Sequence, residues 1–457
     1  MAKDEGRIKD EVAGADLGDR RLTRRLEILA TTMARDPRLS FPEACGESDA
    51  ELEATYRFLN NEAVEAADVL EPHYRATVGR MSAVENVLVV HDTTEFAFKG
   101  EREGLGRLQE FKQGFMGHYA LAVSADGRRE SMGIIGLLPI FRPWELVTEH
   151  WRKRYFSPDK ESRRWGKLVD VVAARVGEAI SPIHVMDQEA DSYELLAHLV
   201  GNEHRFVIRG RTDRRKTTEG VQVAKVTEGT TAVATREIQV SERKARSKSK
   251  TRRLVFRPAR QATLDIYSCV VEIAAPDRTR QAPSLRLNLV HVVERDTPEG
   301  QDPVDWMLYT TEPIDTVADV LRIVEHYRTR WVIEEYFKAL KTGCSYEKRQ
   351  LGTRHDLLNA LAIFIPIAWT LLLLRQQSRS ADDPGSALTE QQIQVLRAVM
   401  KRAIPLRPSG RDLLLAVAAL GGHIKSNGDP GWLVLGRGFQ KLLAYEVGWN
   451  AATRDQS

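Results

Sequence analysis

Five residues in the run HYRTRWVIEEYFKALK (326–341) could act together: Tyr327, Arg330, Glu334, Lys338 and Lys341. Wound as one helix at ~100° per residue, they fall within an arc of roughly 80°. Val332, Tyr336, Ala339 and Leu340 take the opposite side, which makes an apolar face for a core. The polar face sets one carboxylate among three cations and a phenol. Glu334 is a candidate ligand for a divalent cation, and the arginine and lysines are candidate holders of phosphate oxygens. The same stripe also suits a solvated face with i,i+4 ion pairs. The helix alone leaves both readings open.

Two further carboxylates bear on the choice. Asp92 follows the apolar run NVLVVH (86–91), and Asp187 follows IHVM (183–186). In α/β folds the chemistry gathers where strands end and side chains leave the packed sheet. A single aspartate after a strand is usually a turn residue. Two of them, with Glu334 from a helix, supply three hard oxygen ligands on separate elements. That set suits Mg²⁺ or Mn²⁺.

The elements that must position these residues can be read in order. Residues 1–80 read as all-helical. Asp16–Ala34 begins on a capping aspartate and carries Leu22, Leu26 and Leu29 at helical spacing. Arg20, Arg21, Arg24 and Arg25 crowd its first turns, against the helix dipole. A phosphate backbone would offset that cost, and a solvated basic face is the equal alternative. Further helices are expected near Asp49–Leu59 and Val64–Val78. From Val84 the pattern turns to strands: 86–91, then Tyr119–Ser124 and Ser131–Leu138 around a hairpin at Asp126–Gly127. A helix over Lys167–Ala179, a strand at Ile183–Met186, a helix near Tyr193–Val200 and a strand at Arg205–Ile208 complete a mixed α/β sheet.

Residues from about 212 to 304 read as a β-rich insertion, with strand-like runs at Thr231–Val240, Leu254–Phe256, Ala262–Ala274 and Leu285–Val292. The run RKARSKSKTRR (243–253) holds seven cations in eleven residues. It reads equally as a solvated loop or a phosphate-binding arm. Leu357–Leu374 is 18 mostly apolar residues, the low edge of a membrane-spanning length. Asn359, Pro366 and Thr370 interrupt it, and a buried core helix is the better reading. After a linker at 375–386, Leu388–Ala451 reads as a small helical domain.

The 457 residues suffice for two or three domains and a large core. Net charge is +3, from 67 Lys+Arg against 64 Asp+Glu, which permits a polyanionic partner without demanding one. Cys45, Cys269 and Cys344 form no CxxC pair, which excludes a disulfide scaffold or zinc finger and fits a reducing compartment. MAKDEGRIKDE lacks the apolar core of a secretory signal, so a cytoplasmic protein is expected. No Walker A loop, dinucleotide fingerprint, HExxH or GxSxG element is present, so no nucleotide cofactor is expected.

The spacing Tyr327-x2-Arg330-x3-Glu334-x6-Lys341, within WVIEEYFKALKTG (331–343), resembles the signature of the insertion-sequence-four family of transposases. LGDRRLTRRL (17–26), TYRFLNN (55–61), HDTTE (91–95), DQEADSYELL (187–196), RFVIR (205–209), WMLYTTEP (306–313) and LGGHIKSNGDPGW (420–432) resemble further segments of that family, in order. The resemblance implies a ribonuclease H-like core over 81–375 with the β-rich insertion. A helical DNA-binding domain (1–80) and a helical dimerisation domain (376–457) would flank it.

The resemblance also implies a catalytic, metal-binding triad of Asp92, Asp187 and Glu334 with Mg²⁺, for which Mn²⁺ substitutes. Arg21, Arg24 and Arg25 would meet DNA through the N-terminal segment. Arg209, Tyr327, Arg330, Lys338 and Lys341 would hold phosphates, and Trp306 would fill the space left by a flipped base. The implied activity is cut-and-paste transposition through a DNA hairpin. The implied partners are double-stranded DNA (terminal inverted repeats and target) and a second copy of the chain, in a nucleoid-associated setting. A metal-dependent nuclease without strand transfer and a domesticated DNA-binding protein are the alternatives. Tyr193 departs from the pattern, standing where the best-known member has a histidine.

Overall fold

The computed structural model describes residues 4–46, 48–109, 112–144, 160–212, 215–240, 242, 258–276, 283–377, 388–400, 403–424 and 430–454. The basic run at 243–253, the strand expected at 254–256 and most of the linker at 375–386 lie outside them.

In chain order the helices are α1 (Asp4–Val12), α2 (Arg20–Arg35), α3 (Phe41–Cys45), α4 (Asp49–Leu59), α5 (Ala66–Met81), α6 (Arg164–Val176), α7 (Tyr193–Gly201), α8 (Val317–Thr329), α9 (Trp331–Lys338), α10 (Arg354–Gln377), α11 (Glu390–Val399), α12 (Gly410–Leu420) and α13 (Trp432–Arg454). The strands are β1 (Val87–Phe98), β2 (Gly106–Gln109), β3 (Lys112–Ser124), β4 (Ser131–Ile140), β5 (Ile183–Met186), β6 (Arg205–Gly210), β7 (Ala234–Val240), β8 (Arg260–Ile273), β9 (Leu285–Arg295) and β10 (Asp305–Thr310). Contacts divide the chain into two compact units: Met1–Ile180 with Trp331–Ser457, and Ser181–Arg330.

In the first unit β1 and β3 pair antiparallel along their length, from Val87 opposite Ser124 to Phe98 opposite Gln113. β4 and the short β2 share the other edge of β3. The hairpin at Asp126–Gly127 forms as its residues require. Asp126 accepts from the Ser124 hydroxyl at 2.8 Å, and Gly127 takes φ +85°. Side chains alternate between faces, so Val87, Val89, Ala120, Ala122, Met132 and Ile135 share one core with Met81 of α5 and Leu168, Val172 and Val176 of α6. Gly133, at φ +135°, lets β4 pass α5. A Cβ there would lie 2.2 Å from the Thr77 hydroxyl. The opposite face is covered by α9, whose Tyr336 and Phe337 rings stand 5.9 and 5.4 Å from Tyr119.

The apolar run at 357–374 is the heart of α10 and lies in the core of this unit, 94% buried over its most apolar stretch. Two of its polar side chains donate to backbone carbonyls. Asn359 donates to the carbonyls of Leu59 and Val64 at 3.0 and 2.9 Å, and the Trp369 indole donates to Ser131 at 3.1 Å. This is the packing of a core helix.

The N-terminal helices belong to the same unit. α2 starts later than the sequence suggests. Asp16 instead closes a small turn onto Gly18, whose φ is +72°, and Asp19 is the cap, accepting from the Arg21 amide at 2.8 Å. A buried cluster anchors α1: the Glu11 carboxylate meets His73 and the Arg80 guanidinium. The Ile134 amide donates to His73 Nε2 at 3.1 Å, so the proton sits on Nδ1, facing Glu11.

In the second unit β5 and β6 run parallel, and β10, β9, β8 and β7 add on in that order, each antiparallel to the last. The sheet is therefore mixed, as expected for the α/β class. The strands of the β-rich insertion alternate exposed and buried residues, the pattern of a sheet with one solvated face. α8 packs on β5 and β6.

Candidate active site

Asp92 lies inside β1 rather than after a strand. The strand continues six residues past it, to Phe98, and changes there from full to partial burial. The sequence reading stopped at His91 because the apolar run stops there; the backbone pairing does not. Asp92 stands opposite Tyr119. Residues directly opposite in an antiparallel pair point to the same face. Asp92 therefore points to the face of the sheet that α9, the bearer of Glu334, covers through its contacts with Tyr119. Behind the strand, Thr93 accepts from Arg164 Nε at 3.1 Å and pairs with His118 Nδ1 at 2.9 Å. Burial, with Arg164 nearby, pushes the His118 imidazole well below its usual range. This packed layer backs the carboxylate's strand.

The run 326–341 does not form one continuous helix. α8 ends at Thr329 with Arg330 as its cap, α9 begins at Trp331, and Ala339–Gly343 form a π turn closed by the Cys344 amide on the Ala339 carbonyl at 2.8 Å. The apolar face lies as expected: Val332, Tyr336, Ala339 and Leu340 are buried. The polar face is less open than a solvated stripe. Tyr327 and Arg330 are buried, Glu334 and Lys341 are half-buried, and Lys338 alone of the five is exposed. The Lys341 ammonium donates to the Glu95 carbonyl and sits 5.3 Å from the Phe96 ring. Burial draws its pKa down, against the pull of Glu347 and Glu95.

In the second unit Asp187 directly follows β5, as read. It caps the short turn Gln188–Ala190, its Oδ1 accepting from the Glu189 amide at 2.8 Å. Tyr327 is raised in pKa by its burial, an effect opposed by the charges of Arg209 and Arg330 beside it; the Asp187 charge adds to the rise. The ring of Trp306 meets the ring of Tyr327 edge to face at 5.3 Å. Arg209 donates through Nη2 to the Asp305 carbonyl at 3.1 Å, and its buried Nε has no partner among the described residues. Five residues singled out from sequence thus gather in this unit: Asp187, Arg209, Trp306, Tyr327 and Arg330. A phenol flanked by two guanidinium groups is a chemistry for holding phosphate oxygens.

On α2, Arg21 and Arg24 are exposed, while Arg25 pairs with Glu51 at 2.5 Å. Arg21 pairs with Asp19 at 2.8 Å.

Several supporting residues carry no signal in sequence. The Asp191 carboxylate is fully buried against Arg215 and accepts from the Arg211 amide at 2.8 Å, which staples the Asp187 turn to the chain beyond β6. Thr227, His291 and Asp305 form a hydrogen-bonded chain that no local pattern announces.

Two family profiles match this sequence. Residues 4–64 match the transposase DNA-binding family, and residues 160–369 match the transposase DDE domain. These two segments are thus similar to the DNA-binding and DDE domains of transposases. The DNA-binding match contains Arg21, Arg24 and Arg25; the DDE match contains Asp187 and Glu334, while Asp92 precedes it. The DDE domain brings a ribonuclease H-like core and dependence on a divalent metal. Among solved structures, the chain resembles a piggyBac transposase in a synaptic complex with hairpin DNA, at 11% identity and a TM-score of 0.38, over 81% of this chain and 72% of that one.

Hard oxygen donors of this kind are what a divalent ion such as Mg²⁺ takes. All three acids are carboxylates on ordered elements. Asp187 and Asp92 each accept a backbone N–H through Oδ1.

Proposed function

We propose that this DDE transposase moves an insertion sequence of the insertion-sequence-four kind by cut-and-paste: end cleavage through a DNA hairpin, then strand transfer. Asp92, Asp187 and Glu334 hold Mg²⁺, with Mn²⁺ able to replace it. The observation that carries this reading is the cluster around Tyr327, whose buried phenol is acted on by the charges of Arg209, Arg330 and Asp187 and whose ring meets Trp306. A nuclease needs metal ligands. An enzyme that must keep a DNA end through successive steps also needs groups that grip the same phosphates.

A bound divalent ion would activate an attacking water or 3′-hydroxyl and stabilise the leaving oxygen. The chain's own residues do the rest. Arg209 and Arg330 take phosphate oxygens through planar forks, and Tyr327 adds an O–H donor between them. Lys341 and Lys338 extend the cationic grip. Trp306 offers a ring to replace the stacking that a flipped base loses. On the N-terminal helix α2, Arg21, Arg24 and Arg25 hold the duplex farther from the break. The protein works as a homodimer in which each copy cuts the end held mainly by the other, in the cytoplasm at the nucleoid.

Glu334→Gln tests this directly. It nearly preserves shape and removes the metal-binding charge. With Mg²⁺ and a duplex from the inverted repeat flanking the gene, nicking, hairpin formation and strand transfer should all fall, while gel-shift binding persists. A variant that still nicks would remove Glu334 from the site. Wild-type protein that nicks but never joins strands would make this chain a nuclease.

A further inference from the structure

We propose that Thr227 and His291, both in the β-rich insertion, are positioning residues for the DNA end: through Asp305 they set the places of Arg209 and Trp306. The proposal rests on the reading of Trp306 and Arg209 as DNA contacts.

The connections are continuous. Thr227 Oγ1 pairs with His291 Nδ1 at 2.7 Å, and His291 Nε2 with Asp305 Oδ1 at 2.9 Å. A carboxylate only accepts, so Nε2 carries a proton. In the neutral imidazole Nδ1 then accepts, and the Thr227 hydroxyl must donate to it. In that form the bonds run from hydroxyl to imidazole to carboxylate. Thr227 and His291 are each only 6% exposed, so neither exchanges these bonds for water freely.

Asp305 then acts on the site through its backbone. Its carbonyl accepts from Arg209 Nη2 at 3.1 Å, and the next residue is Trp306, whose ring lies against Tyr327. Asp305 and Trp306 open β10, and Val293 and Val292 of β9 stand opposite them. A strand's first residues fray unless something holds them. Here the hold comes from a side chain of the neighbouring strand, itself held by a loop that follows Val223–Lys225. An insertion sheet otherwise remote in sequence thereby sets the aim of one guanidinium and one indole. A displacement of about 1 Å at such a site costs on the order of 100-fold in rate.

Thr227→Val and Thr227→Ser separate the hydroxyl from its packing. The first keeps the shape without the donor; the second keeps the donor. The full-length protein would be bound to a duplex from the inverted repeat flanking its gene, with 2-aminopurine at each terminal position in turn. Ca²⁺ would replace Mg²⁺ so that no cleavage follows. In the wild-type complex one position should brighten as its base unstacks. Thr227→Val should lose at least half of that signal and, with Mg²⁺, slow hairpin formation by at least about tenfold. Thr227→Ser should keep both near wild type, and affinity for the duplex should change less than threefold in either.

If valine leaves the signal intact, the proposal fails. If serine and valine lose it equally, the residue acts by packing alone and the proposal fails too. Trp306→Ala is the control for the underlying reading. If it leaves the signal unchanged, Trp306 is not the base partner, whatever Thr227 does. Should Thr227→Val not fold, Asp305→Asn carries the same test, because it keeps the backbone carbonyl and weakens only the grip of His291. An unchanged signal there has the same negative meaning.

Discussion

Tyr327 is the residue on which the candidate site turns, because burial and two guanidinium groups act on its phenol in opposite senses. Phenylalanine at this position keeps the ring on Trp306 and deletes only the O–H. A hydrogen bond to a charged group contributes about 1.5–3 kcal/mol, so end cleavage should slow by roughly 10- to 100-fold, with the melting temperature nearly unchanged. Single-turnover cleavage of pre-bound DNA measures it. An equal loss of fold stability would instead make the phenol structural. Lys341 yields a further expectation. Burial lowers its pKa, so the folded protein gives up that proton more readily than the unfolded chain. Stability from this group therefore rises with pH through the window just below the ordinary lysine range. Lys341→Met should flatten that part of a urea-unfolding profile against pH, and an unchanged slope would refute the assignment. These side-chain types and spacings were legible in the sequence, since chemistry of this kind needs particular residues. Their burial was not, because helical periodicity tells which residues share a face and not what covers it.

At the scale of elements, α10 is the clearest case of sequence dictating structure. Eighteen largely apolar residues must leave water, and here they do so inside a protein core. The two carbonyls that Asn359 serves end α4 and the loop after it. Asn359→Leu would strand both in a dry interior, at a cost of about 2–5 kcal/mol. The melting temperature should drop by several degrees, and a neutral result would mean that water replaces the amide. Elsewhere the elements departed from their sequence signals for physical reasons. β1 runs past Asp92 because strand pairing with β3 depends on the backbone and tolerates a half-buried acid. The π turn at Ala339–Gly343 was invisible because an apolar face alone cannot distinguish a turn of five residues from one of four. The short β2 carries too few residues for any period to register.

At the scale of the whole molecule, the N-terminal helices share one unit with β1–β4 and α10. Long-range pairings hold them, and no local pattern could have foretold these. Burial would raise the pKa of Glu11, but the His73 N–H and Arg80 outweigh it and hold the carboxyl down at about 2, from 4.5. A lowered acid pKa adds stability that is complete above 4.5 and lost as pH falls toward 2. Glu11→Gln should remove that component of acid unfolding. An acid profile identical to wild type would disprove it. Residues 1–81 expressed alone should show no cooperative melting by circular dichroism; a sharp transition would make them an independent domain. The Arg349 guanidinium adds a timing constraint. It donates to the carbonyls of Pro37 and Leu39, 312 and 310 residues earlier in the chain, and Arg38 reaches Gln440, 402 residues later. On the ribosome, the segment around residue 38 must therefore wait through most of synthesis for its partners. The helices that the DNA-binding profile covers are thus bordered by a segment whose contacts are completed only late in synthesis.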